Sequence, residues 1–180
     1  HELPPLIHRE RDRMIDAHHT ILPLTARPKP DAAGLVADSV SIGDGLRVLS
    51  PEDRICHAVA HLFADGDLSG GLRNLWDIHC LLGDIEDQVA VVQRAARHGL
   101  SPHLARARRL ADRVYGAGQK RVTLTDRLFV RRLLASDGWG RDSAKLLGLA
   151  FYIRSHLLRM PPLMLARHLF TKWRKGYRPH

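Results

Sequence analysis

Cysteine is scarce in this sequence: Cys56 and Cys80 are the two in 180 residues. They lack C-x-x-C spacing and fall within helical patterns. A disulfide framework is therefore excluded, and the pair reads as buried thiols of a reducing, cytoplasmic compartment. Long apolar runs are missing too. No stretch approaches the roughly 20 apolar residues that span a bilayer, and no charged-then-apolar signal segment opens the chain. G-x-S-x-G, a P-loop, G-x-G-x-x-G and zinc-knuckle spacing are all absent, so several common enzyme classes find no support. There is no internal repeat and no low-complexity tract. What is present is an ordinary globular composition, 44% hydrophobic, enough for a real core. The first residue is His1 rather than Met, which leaves a processed product, an excised piece or a fragment as the expected readings.

Acid is missing from one end. From Ser143 onward there are eight basic residues (Lys145, Arg154, Arg159, Arg167, Lys172, Arg174, Lys175 and Arg178) and no Asp or Glu. The rest of the chain carries 20 basic and 19 acidic residues and is nearly neutral, so the basicity belongs to the tail. A basic tail with interleaved aromatics suggests phosphate-bearing partners.

Along the chain the period changes once. Leu6-Ile7, a charged turn from Arg9 to Arg13, and the run Met14 to His18 predict two short strands, with Asp16 and His18 on one face. Pro23, Pro28 and Pro30 mark a loop. A second hairpin is expected from Ser39 to Leu49 about Gly43-Asp44-Gly45. Ser50-Pro51-Glu52-Asp53 is then a helix start, with Ser as cap and Pro in the first turn. That helix should run to about Ala64. Further amphipathic segments follow at about 70–83, 85–98, 101–116, 123–136, 141–158 and 161–174. The fold class is α+β, predominantly α, with short N-terminal strands before a helical bundle. The expected divisions are a β portion over 1–49, a helical domain over 50–142 and a basic amphipathic tail over 143–180.

Three features could carry chemistry, and each has a plainer alternative. Asp16 with His18 could help hold a divalent metal, or Asp16 could simply face solvent from an edge strand. His57 and His61, four apart, stack on the helix face opposite Ile55, Val59 and Leu62. Two such imidazoles can bind zinc only with a third ligand, so packing against another helix, with Asp77 as hydrogen-bond partner, is the structural alternative. Arg73 and Asp77, again four apart, could form an intrahelical ion pair, or Arg73 could present its planar fork to a phosphate. In the tail, Leu163, Leu165, Ala166, Leu169, Phe170 and Trp173 oppose Arg167, Lys172, Arg174 and Lys175. Such a helix could lie on an anionic membrane surface or dock on a protein partner, or pack on its own bundle. Nothing there reads base edges, so sequence-specific nucleic-acid binding is not expected.

Taken together, Val48-Leu49-Ser50-Pro51-Glu52-Asp53, His57, His61 and Gly71-Leu72-Arg73-Asn74-Leu75-Trp76-Asp77-Ile78 resemble the central block of the uncharacterised bacterial nucleotidyltransferases of the polymerase-β-like superfamily. Ile15-Asp16-Ala17-His18 is similar to that family's hydrophobic-Asp-x-His strand, with His19 where an aromatic is usual. The resemblance spans about Pro4 to Leu82. It implies metal-dependent transfer of a nucleoside monophosphate from an NTP to an unknown acceptor, with Mg²⁺ and NTP as cofactors. Asp16 then matches the third metal-binding carboxylate. The Gly-Ser and Asp-x-Asp elements that hold the other metal positions do not precede Asp16, so the resemblance implies a C-terminal part that is inactive alone. A non-catalytic helical adaptor, binding an anionic membrane or nucleic acid through its tail, is the alternative reading.

Overall fold

Ser50 caps its helix as the sequence predicts. Its Oγ accepts from the Asp53 amide at 3.2 Å, satisfying one of the donors that a helix start leaves open, and Pro51 takes the first position, where no N–H is needed. The helix so begun, α2 (Pro51–Val59), lies at the centre of the computed structural model, which describes residues 6–15, 18–116, 123–137, 139 and 141–174. Ile55, Cys56 and Val59 form its buried stripe.

Three helices close around that stripe. α3 (Leu72–Asp84) contributes Leu75 and Ile78, α4 (Gln88–Arg97) Val91 and Ala95, and α5 (Ser101–Val114) Leu104, Ala107 and Leu110. Spacings of three and four put each set on one side of its helix, so burying apolar area and forming the helix are one event. Between α4 and α5 the chain turns at Gly99, whose φ of +67° is the left-handed conformation that ends many helices. α6 (Leu124–Leu133) opens on a capping box between Thr123 and Asp126. The buried Asp126 carboxylate also takes a two-pronged ion pair from Arg109 of α5, at 2.7 and 3.1 Å. α7 (Lys145–Arg159) joins the core through Phe151, edge to face with Phe129 of α6 at 4.9 Å. α8 (Pro162–Arg174) follows after Pro161.

α2 does not stay an α-helix to about Ala64. Its continuation, Ala60–Asp65, is a π-helical turn in which the Gly66 amide bonds the His61 carbonyl five residues back at 2.9 Å. Such turns put one extra residue into a helix. In this turn the Phe63 carbonyl accepts from Arg154 Nη2 of α7 at 2.7 Å. Arg154, largely buried, is pushed down to about 10 by that burial and then by Arg106.

Both expected hairpins are present. β1 (Leu6–His8) pairs antiparallel with β2 (Arg13–Ile15), and β3 (Val40–Gly43) with β4 (Leu46–Val48). Asp44 and both neighbouring glycines have positive φ, as a tight hairpin turn requires. Every strand residue is exposed, so the strands stay out of the core, which the helices build with the loop residues Leu22, Ala26, Leu68 and Leu100. One element was not anticipated: α1 (Ala32–Ala37), capped by Asp31, whose Oδ1 accepts from the Gly34 amide at 2.9 Å. Six residues are too few to show a helical period. The result is an α+β fold, mostly α. Among the described residues no helix is long and apolar enough to cross a membrane.

Candidate functional site

A cavity of about 380 Å³ opens between α1, the second hairpin, the last turn of α2 and the segment that follows β2. Leu35 and Val36 of α1, Ile21, Val48 and Leu49 give it apolar walls, and His18, Arg47 and His57 stand among them. Apolar walls with a few convergent polar groups are the usual character of a small-molecule site. Arg47 is fixed in place: its Nε donates to Ser39 Oγ at 2.7 Å, and Nη2 donates to the Ser39 carbonyl.

His57 projects from the exposed side of α2, and its ring lies 4.4 Å from that of His61, centroid to centroid. Burial lowers the His57 pKa, and the neighbouring His61 and then His18 lower it further. Each of these effects favours the neutral imidazole over the imidazolium. A neutral ring can accept a hydrogen bond, take a proton or lend a lone pair.

The two helices that wall the cavity are joined beneath it by a buried polar network. Asp53 and His98 have no solvent exposure. Asp53 Oδ1 lies 2.9 Å from His98 Nε2, and Oδ2 accepts from Ser50 Oγ at 3.1 Å, with Arg94 Nη1 at 3.4 Å. On its other edge His98 Nδ1 accepts from the Asp31 amide at 3.1 Å. Since Nδ1 is an acceptor, the ring proton is on Nε2 and is donated to Asp53. Around this core Arg97 pairs with Asp31 and Asp38, each at 2.8 Å, and Arg94 pairs with Asp38. The Asp31 carboxyl is lowered first by the Gly34 amide and then by Arg97, and that of Asp38 by Arg94. The Asp53 of the Leu-Ser-Pro-Glu-Asp block therefore faces inward and positions the wall.

Of the residues singled out in the sequence, His18 and His57 meet at the cavity, with His61 beside His57. Asp16 lies outside the described residues. Arg73 and Asp77 are exposed on α3, outside the cavity lining. Asp77 raises the Tyr115 pKa, after burial does, and Tyr115 packs edge-on against Trp76 at 5.0 Å. Among the described residues no group of three or more His, Cys, Asp or Glu could hold a metal ion. Sequence reasoning missed Arg47, Asp31 and His98. The Asp31-x-x-Gly34 cap was the available signal for α1; nothing local marks His98 as the partner of a residue 45 positions away.

Comparison with known proteins gives one match. A family model described as uncharacterised nucleotidyltransferase fits residues 2–116. That extent runs from the first hairpin through α5, past the Leu82 limit of the sequence resemblance. No curated protein and no solved structure matches the chain.

Proposed function

From its membership of the uncharacterised nucleotidyltransferase family, to which this chain belongs, we propose that the protein serves transfer of a nucleoside monophosphate from an NTP to an acceptor. In that reaction an acceptor oxygen or nitrogen attacks the α-phosphorus in line, the bond to the bridging oxygen breaks and pyrophosphate leaves. Mg²⁺ would neutralise the charge that builds on the phosphate oxygens, with Asp16 as a ligand and His18 beside it. The described residues do not supply a metal cage by themselves. The reading therefore requires further carboxylates, of the Gly-Ser and Asp-x-Asp kind, to complete the site. The exposed apolar strand residues Leu6, Ile7, Met14 and Ile15 support a hairpin built to join a larger sheet.

One observation carries the reading: His18, two positions beyond Asp16, and His57, from the helix of the family block, line the same cavity. Its apolar walls suit a nucleoside, with Arg47 at hand for a polar edge or phosphate. Arg73, exposed on α3, would contact a phosphate from outside the cavity. The test is to titrate the natural full-length protein with each NTP in the presence and absence of Mg²⁺. Label from the α-phosphate is followed into acceptor, beside Asp16→Ala and His57→Ala. Metal-dependent binding or transfer that Asp16→Ala removes is expected. An absence of nucleotide binding in the unaltered protein would end this proposal.

A further inference from the structure

α8 holds its bundle with one side and offers the other to solvent. At about 100° per residue, Leu165, His168 and Lys172 share one side. Leu165 is buried, His168 stacks on His156 of α7 at 5.2 Å, and Lys172 Nζ donates to Tyr152 Oη at 2.8 Å. The opposite side carries Leu163, Ala166, Phe170 and Trp173, with Arg167 and Arg174 beside them. Leu163 is 85% exposed, Phe170 59% and Trp173 76%. Three large apolar side chains in a row along one exposed face form a patch that water alone does not favour.

The charge around that patch limits what can cover it. From Ser143 onward the chain has eight basic residues and no acid. A second copy laid face to face would bring four arginines, Arg167 and Arg174 of each chain, together with no acid in the segment to meet them. A nucleic acid would reward the cations but offers no apolar phase to Leu163 or Phe170. A surface that is anionic at its rim and apolar beneath answers both halves of the pattern. We propose that α8 is an interfacial helix that lies flat on an anionic lipid surface. Leu163, Phe170 and Trp173 enter the boundary between headgroups and acyl chains, and Arg167 and Arg174 meet the lipid anions. Trp173 is of the residue type that favours this depth. α8 has 13 residues, too short to span and long enough to lie in the plane.

The proposal stands independently of nucleotidyl transfer, and so does its test. The whole chain, with Trp76→Phe and Trp139→Phe so that Trp173 is the sole tryptophan, is floated with vesicles of phosphatidylcholine alone or with about a third phosphatidylserine. Binding to the anionic vesicles is expected, with a blue shift of Trp173 emission and quenching by lipids brominated near the headgroup. Arg167→Glu with Arg174→Glu should weaken it at least about tenfold, as should added salt. Phe170→Ser with Trp173→Ser, read by flotation, should weaken it at least about tenfold as well. All four side chains are outside the core, and unchanged thermal melting would confirm intact folding. Failure to float with anionic vesicles, or an unshifted Trp173, overturns the proposal. So does tighter binding to duplex DNA that survives Phe170→Ser with Trp173→Ser, or a stable dimer that protects Trp173 in the absence of lipid.

Discussion

His98 reaches both cavity-bearing helices with opposite edges of one imidazole. Its Nε2 is 2.9 Å from the carboxylate of Asp53, in the first turn of α2, and its Nδ1 receives the amide of Asp31, the cap of α1, at 3.1 Å. The ring thus sets the spacing between two walls of the cavity without lining it. Asp53 and His98 are both wholly buried, so the bond between them cannot be exchanged for water.

Removing that ring should cost more than an average core substitution. His98→Ala leaves a buried carboxylate with fewer donors and the Asp31 amide without its acceptor, and a loss of about 3 kcal/mol is expected. Urea denaturation measures it. A loss below about 1 kcal/mol would mean that Arg94 and Ser50 hold Asp53 without help.

Acid should unfold the protein in two stages. His103 is pushed down to about 4, first by burial, then by Arg154 and Arg106. Unfolding lets it take up a proton, so its contribution is complete above its ordinary value of 6.5 and drains away as pH falls towards 4. Asp126 is held down at about 2, chiefly by the Arg109 hydrogen bonds. Its contribution is complete above the ordinary 3.8 and is lost as pH falls through about 2. Urea midpoints measured from neutral pH downward should show the first loss flattened by His103→Gln and the second by Arg109→Ala. An identical profile in all three proteins would refute the assignment.

The cavity can be closed without touching the core. Val36 lines it and is 71% exposed, so Val36→Trp should fill the opening while thermal melting stays unchanged. Fluorescent nucleotide binding to the natural full-length protein is then expected to weaken at least about tenfold. Equal affinity in both proteins would place the nucleoside elsewhere.

The two thiols should behave differently. Cys56 is buried against the core and its thiol is pushed up to about 12 by burial and then by Asp53, so almost no thiolate exists at neutral pH. Cys80 is half-buried. A thiol reagent at mildly alkaline pH should label Cys80 in the folded protein and Cys56 after denaturation. Prompt labelling of Cys56 in the native state would show that the α2 seam opens easily.

The helices were legible because their signals are local. Ser50 before Pro51 and the amphipathic periods of the segments at about 70–83 and 123–136 each state their own structure. The hairpin at Gly43-Asp44-Gly45 was equally readable, since only a few residue types accept positive φ. α1 was missed because six residues complete fewer than two turns, leaving its cap as the one signal. The π turn was missed because one extra residue leaves Leu62 and Phe63 just as buried as an α-helix would. For the site, His18 and His57 could be suspected separately. That they share a cavity depends on the path of some forty residues between them, and on a buried Asp53–His98 pair whose halves carry no mark of each other in the sequence.

The Phe63–Arg154 bond has a mechanical consequence. The turn that presents His61 beside His57 is tied, through one carbonyl, to a side chain 91 residues later on α7, and α7 is the helix on which α8 rests. A displacement of Arg154 would leave that carbonyl without this donor. The π turn after α2 is thus pinned to α7, and through α7 to α8, rather than held by α2 alone.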